Sequence, residues 1–223
     1  IFPMRFRQAA GDPVATAPLQ GRMESVMTRL HGALARLRPV LGICALALLL
    51  LSLSRLGLAG WHHARVTAVD GWAPVLLQGL RVDIASVCLL FGPLAALLIL
   101  LPARVLAWRA VRGVAVVWLV AGFTLLANLE LATPGFMQEY GLRPNRLFIE
   151  YLVYPREVLS MLVGGRPLEC IAVLVLTGLA AWGSARLVRR CWPPDDVPLP
   201  GLPVRVVLAL LVLALAALGV RST

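Results

Sequence analysis

The sequence contains no lysine, and it has few acidic and few aromatic residues. All 21 basic residues are arginines, against 11 acids, and only 14% of the 223 residues are charged. A soluble domain has about 25% charged and about 45–50% apolar residues. Here 60% of the residues are hydrophobic, and the mean hydropathy is +0.85. The shortage of charge therefore excludes an ordinary soluble domain and indicates a membrane protein with several spans.

The net charge of +10 does not point to nucleic acid. In a soluble chain such a charge is typical of nucleic-acid binding, but in a membrane chain arginines first report which side of the membrane a loop occupies. We therefore expect membrane lipids, and no nucleic acid, as partners.

Metal-binding patterns are also absent from the sequence. The cysteines show no metal-ligand spacing, and we interpret them as small packing residues of the membrane core. The adjacent His62 and His63 are better interpreted as loop residues at the membrane interface than as ligands. The sequence thus predicts neither a metal site nor a catalytic residue in this chain.

Five segments have the length and hydropathy of membrane-spanning helices. A span needs about 20 apolar residues, because each residue advances about 1.5 Å through about 30 Å of hydrocarbon. Some charged side chains lie near segment ends, where they can reach the lipid headgroups; they are Arg55, Arg186 and Arg205. We predict an all-α membrane protein with five transmembrane helices. The segments are 40–58, 84–101, 113–129, 170–188 and 203–220.

The first 38 residues differ in character from the rest. They are basic, they do not begin with methionine, and Met23 and Met27 are alternative starts. We interpret residues 1–38 as a disordered or artefactual N-terminal segment and residues 39–223 as the five-helix transmembrane domain. The segments on the N-terminal side of the membrane contain more arginines than the longer, acid-rich loops opposite. This asymmetry predicts a cytoplasmic N-terminus and an extracytoplasmic C-terminus.

The region 133–166, between the third and fourth spans, is too polar to cross a membrane and too apolar for an ordinary loop. It predicts one or two amphipathic helices in the outer interface, with Pro155 kinking or dividing them. Four charged side chains fall within about 60° of one another on a helical wheel and form a polar stripe: Arg143, Arg146, Glu150 and Glu157. The stripe belongs either to a solvated connector or to a surface that contacts lipid headgroups or an outer domain.

Two sequence motifs resemble one known family. The first is EYGLRPNRLFIEYLVYPREV, residues 139–158, with Arg143 and Asn145 in an Arg-x-Asn pair, Glu150 before Tyr-Leu, and Tyr154, Pro155 and Glu157 in a Tyr-Pro-x-Glu-Val close. The second is GLRVDIAS, residues 79–86. Both resemble the membrane portion of the lipoteichoic acid synthases, which are phosphoglycerol transferases of the alkaline phosphatase, or sulfatase-like, superfamily.

The resemblance implies a membrane anchor. In that family five helices hold an extracytoplasmic domain with a threonine nucleophile and a manganese or magnesium ion, which transfers glycerol phosphate from phosphatidylglycerol. We expect this chain to be the anchor in a bacterial inner membrane, with the catalytic domain and its metal outside this sequence. The candidate contacts with headgroups or the outer domain are Arg81, Asp83, Arg143, Asn145, Arg146, Glu150, Tyr154, Arg156 and Glu157.

A stand-alone transporter or membrane assembly factor is the alternative. It requires a polar, water-lined path through the bundle. The sequence offers Thr124, Asn128, Thr177 and Ser184 for such a path, although residues of these types more often pack helices together.

Overall fold

The computed structural model describes residues 17–141, 167–194 and 197–221, and nearly all of them are helical. Helices suit this sequence because hydrocarbon offers no hydrogen bonds, so each spanning segment must pair its own backbone groups. No strand occurs within these ranges, which confirms the predicted all-α class. The helices are α1 (Ala17–Trp61), α2 (His63–Ala68), α3 (Trp72–Leu100), α4 (Ala103–Leu106), α5 (Arg109–Tyr140), α6 (Pro167–Cys191) and α7 (Leu202–Arg221).

Five of these helices are long and apolar enough to cross a membrane, which confirms the predicted number of spans. The chain is therefore a multi-pass membrane protein. The apolar stretches are Met27–Trp61, Trp72–Leu100, Arg109–Gln138, Pro167–Cys191 and Leu202–Arg221.

The third span is longer than the sequence predicts. Helix α5 continues through Pro134 and ends at Tyr140, where Gly141 adopts a left-handed conformation with φ 70° and donates its N–H to the carbonyl of Met137. This is a common way to end a helix, because glycine tolerates positive φ. The first part of region 133–166 is thus the end of α5. The predicted amphipathic helices fall on 142–166, outside the described residues.

The predicted boundary after residue 38 falls inside a helix. Helix α1 runs without interruption through Pro39, which is fully buried. Its N-terminal part packs on the connection between α6 and α7, since a Cβ on Gly32 would overlap the carbonyl oxygen of Pro198. The part of 1–38 from Ala17 onward is therefore helical.

The bundle is built around α1, which contacts α3, α5 and α6, while α7 packs on α3. Small residues allow the close approach of α3 and α7, because a Cβ on Gly92 would lie 2.7 Å from that of Ala216. Close packing of small residues replaces the hydrophobic driving force that lipid does not provide. The largest fully buried apolar side chains are Phe91, Ile43, Leu98, Leu119 and Val188.

Two arginines of α1 that contact α3 mark the two ends of the bundle. Arg36 contacts the C-terminus of α3, and Arg55 contacts Asp83 in the N-terminal half of α3. The two arginines are separated by 19 positions, or about 28 Å of helix, close to the thickness of about 30 Å of a bilayer core. We call these the Arg36 end and the Arg55 end. The long helices alternate in direction between them.

Candidate functional site

The most distinctive polar feature of the bundle is a buried ion pair between α1 and α3. Arg55 Nη2 lies 2.5 Å from Asp83 Oδ1, and the two side chains are only 11% and 5% exposed. Both charges lie beside apolar helix faces, where an isolated charge would be costly. In the pair each charge compensates the other. Arg55 therefore points into the bundle, and its predicted extension to the headgroups is wrong.

Gly79 makes space for this pair. It lies one helical turn before Asp83, so both residues occupy the same face of α3. A Cβ on Gly79 would overlap the guanidinium of Arg55. The guanidinium thus lies across the bare backbone of α3, and the glycine and the aspartate of GLRVDIAS receive the same side chain.

A second contact joins α1 to α5 at the same depth. The hydroxyl of Ser54 donates a hydrogen bond to the carboxylate of Glu130. Ser54 and Arg55 are neighbours that point in directions about 100° apart on α1, so one helical turn contacts two helices. Hydrogen bonds to charged groups are roughly twice as strong as neutral ones. We call Ser54, Arg55, Gly79, Asp83 and Glu130 the polar clamp.

The Arg36 end is held by arginines that cap α3. Arg36 is 3% exposed, and its Nη1 donates to the carbonyls of Leu98 and Leu101 at 3.2 and 2.5 Å. Arg205 of α7 donates to the carbonyl of Leu100 at 3.3 Å. The last carbonyls of a helix lack partners within the helix and carry partial negative charge. The arginines satisfy them and tie α1 and α7 to α3.

No family model matches the chain, and no solved structure matches it. The function must therefore be inferred from the residues themselves.

The predicted contact residues fall in three different places. Arg81 is exposed on α3, and its contact with headgroups or an outer domain stays a prediction. Asp83, two residues away, is 4% exposed and pairs with Arg55, so its carboxylate holds the bundle together instead of facing outward. Seven residues lie outside the described residues: Arg143, Asn145, Arg146, Glu150, Tyr154, Arg156 and Glu157.

The polar residues near the middle of the spans bond to the bundle itself. Thr177 of α6 donates to Asn128 Oδ1 of α5 at 2.8 Å, and Asn128 Nδ2 donates to the carbonyl of Thr124 at 2.9 Å. Ser184 donates to the carbonyl of Ala181 at 3.0 Å. These contacts join helices or satisfy groups within one helix, as expected of packing residues.

The described parts of the chain contain no group of three His, Cys, Asp or Glu side chains that could hold a metal ion. All four cysteines are free, and His62 stacks on Trp61 with ring centroids 5.5 Å apart. A cavity of about 10 Å³ beside Arg36 and Trp192 has room for about one water molecule.

Proposed function

We propose that this chain is the membrane anchor of a phosphoglycerol transferase or sulfatase-like enzyme similar to the lipoteichoic acid synthases. Its role is to position an outer catalytic domain, encoded beyond Thr223, near lipid headgroups. The chain supplies attachment and orientation. The chemistry, and the manganese or magnesium ion, belong to the outer domain.

The observation that carries the proposal is the common end at which two chain segments leave the bundle. Glu130 bonds to Ser54, so the C-terminal part of α5 lies at the Arg55 end. Helix α6 runs antiparallel to it, and α7 ends beside the middle of α3, near the level of Asp83, where a Cβ on Gly219 would lie 2.9 Å from Cys88 Sγ and 3.5 Å from Ile84 Cγ2. Region 142–166, with most of the family-like motif, and the chain after α7 are therefore attached at the same end.

The polar clamp supports an anchoring role. It holds α1, α3 and α5 together at the end from which the family-like segment leaves. A domain that acts on headgroups needs a fixed height and orientation above the membrane. An ion pair and a hydrogen bond that together link three helices restrict the tilt of each helix and so provide a rigid base.

The distribution of charge supports the orientation that the proposal requires. Among side chains that the structure describes, arginines are concentrated at the Arg36 end, while the acids Asp70, Asp83, Glu130 and Glu169 lie toward the Arg55 end. Cytoplasmic loops are enriched in arginine and lysine, so the Arg36 end faces the cytoplasm of a bacterial inner membrane. The arginines at that end are Arg29, Arg36, Arg38, Arg104, Arg109, Arg112, Arg186, Arg189, Arg190 and Arg205.

In this orientation the headgroup contacts of the anchor lie in the outer leaflet. Arg81 is exposed there, and Arg143, Arg146 and Arg156 belong to the adjoining segment. Arginine binds phosphate through paired hydrogen bonds, so these residues would hold an anionic lipid such as phosphatidylglycerol within reach of the outer domain. The transporter alternative is less well supported, because Asn128 and Thr177 bond to each other.

Reading the coding DNA beyond the codon for Thr223 tests this proposal. We expect a continuing frame, directly or after a frameshift, that encodes a sulfatase-like domain with a threonine nucleophile and metal ligands. A stop codon followed by an unrelated gene would contradict the anchor function and favour the stand-alone alternative.

A further inference from the structure

The C-terminal half of α6 forms a basic groove on the outside of the bundle at the Arg36 end. The groove has a volume of about 370 Å³ and is lined by Trp182, Ala185, Arg186, Arg189 and Arg190. Trp182 is 61% exposed, and all three arginines are exposed. Neither the polar clamp nor the capping of α3 uses these residues.

The groove continues along α6 as an apolar stripe. On a helical wheel Ile171, Val175 and Gly178 fall within about 40° of Trp182, on the same face as Arg186 and Arg189. All of these residues are exposed. The distance from Val175 to Arg186 is about 16 Å along the helix, which is about half the thickness of a bilayer core. The part of the stripe from Val175 to Trp182 thus lies within the length of one leaflet from the positive charge.

Tryptophan and arginine are arranged to meet a headgroup at this point. The guanidinium of Arg186 lies 5.3 Å from the ring centroid of Trp182, a distance at which the cation and the ring attract. This contact limits the freedom of a long side chain before any ligand binds. Tryptophan is typical of the membrane interface, and Arg189 lies one turn beyond Arg186, at headgroup level.

We propose that this groove binds the phosphate of an anionic membrane phospholipid, with Arg186 and Arg189 as its main ligands. The acyl chains lie along the part of the stripe from Trp182 to Val175. Charge complementarity selects an anionic lipid, and the leaflet-long apolar stripe selects a lipid over a soluble phosphate. This inference does not depend on the proposed anchor function, because the groove lies at the end opposite the polar clamp.

The test measures lipid binding to the purified full chain in phosphatidylcholine nanodiscs with increasing fractions of phosphatidylglycerol. The probe is brominated phosphatidylglycerol, which quenches tryptophan fluorescence on contact, and a Trp182→Phe variant identifies the share of quenching that belongs to Trp182. Changing both Arg186 and Arg189 to glutamine should raise the phosphatidylglycerol fraction at half-saturation by roughly 30-fold, since each arginine near a membrane surface contributes about 1 kcal/mol.

The matched control changes Arg104 and Arg109 to glutamine. These arginines are exposed at the same end of the bundle, so the net charge changes equally while the groove stays intact. For the control we expect half-saturation at nearly the same fraction of phosphatidylglycerol as for the wild-type chain. Equal weakening by the two pairs would mean general attraction to an anionic surface and would overturn the proposal. Loss of Trp182 quenching when soluble glycerol phosphate is added would overturn the choice of lipid over free phosphate.

Discussion

Replacing Asp83 with alanine should lower the free energy of unfolding by about 3–5 kcal/mol, because removal of one partner leaves a buried charge uncompensated. Arg55 has an 11% exposed side chain and no other charged partner within the described residues. Thermal or denaturant unfolding of the purified chain, followed by the helical signal, measures the loss. The matched control is Arg81→Ala. Arg81 is exposed two residues away, and we expect a change within about 0.5 kcal/mol.

Substitution of Gly79 tests the polar clamp through the sign of its effect on stability. In the wild-type background Gly79→Ala should destabilise the protein, because the new Cβ displaces the Arg55 guanidinium and breaks the pair with Asp83. When both Arg55 and Asp83 are changed to leucine, the same substitution should lose this penalty, and the better helix propensity of alanine then favours it. A Gly79→Ala cost that is equal in both backgrounds would contradict the clamp.

Replacing Arg36 with alanine should cost about 3 kcal/mol, since it removes two charge-assisted hydrogen bonds of at least about 1.5 kcal/mol each. The carbonyls of Leu98 and Leu101 lose their donor, and the end of α3 should fray. Faster amide hydrogen exchange at residues 99–106 would report this local opening. Arg38→Ala is the control, because Arg38 is exposed on the same helix. Unchanged exchange in the Arg36 variant would contradict the capping function.

Hydropathy alone was sufficient to predict the five spans. A bilayer of fixed thickness allows few alternatives for apolar runs of this length, so number and order follow directly. Hydropathy did not predict where the helices begin and end. Helix α5 continues into a more polar sequence until Gly141, and α1 begins at Ala17, because tertiary contacts such as that of Gly32 with Pro198 stabilise turns that composition does not favour.

The polar clamp was only partly visible in the sequence. A single arginine inside an apolar helix requires a partner, and Asp83 lies at a matching depth at the start of the next span, so this pair was predictable in principle. Gly79, one turn before Asp83, was a second signal. The contact of Ser54 with Glu130 and the capping by Arg36 depend on which helix faces come together, and no periodicity within one segment determines that.

The proposed anchor function depends most directly on the orientation of the bundle in the membrane. The measurement is labelling of single cysteines in intact cells with a membrane-impermeant thiol reagent. One cysteine replaces Val69 beyond the Arg55 end and another replaces Trp108 at the Arg36 end; both residues are exposed, at 76% and 64%. The background lacks the four native cysteines, which are Cys44, Cys88, Cys170 and Cys191.

We expect the Val69→Cys protein to be labelled in intact cells and the Trp108→Cys protein only after the membrane is permeabilised. This pattern would place the Arg55 end, with the family-like segment and the chain after α7, outside the cytoplasm. The reverse pattern would place those segments in the cytoplasm and would contradict an anchor that holds an extracytoplasmic domain.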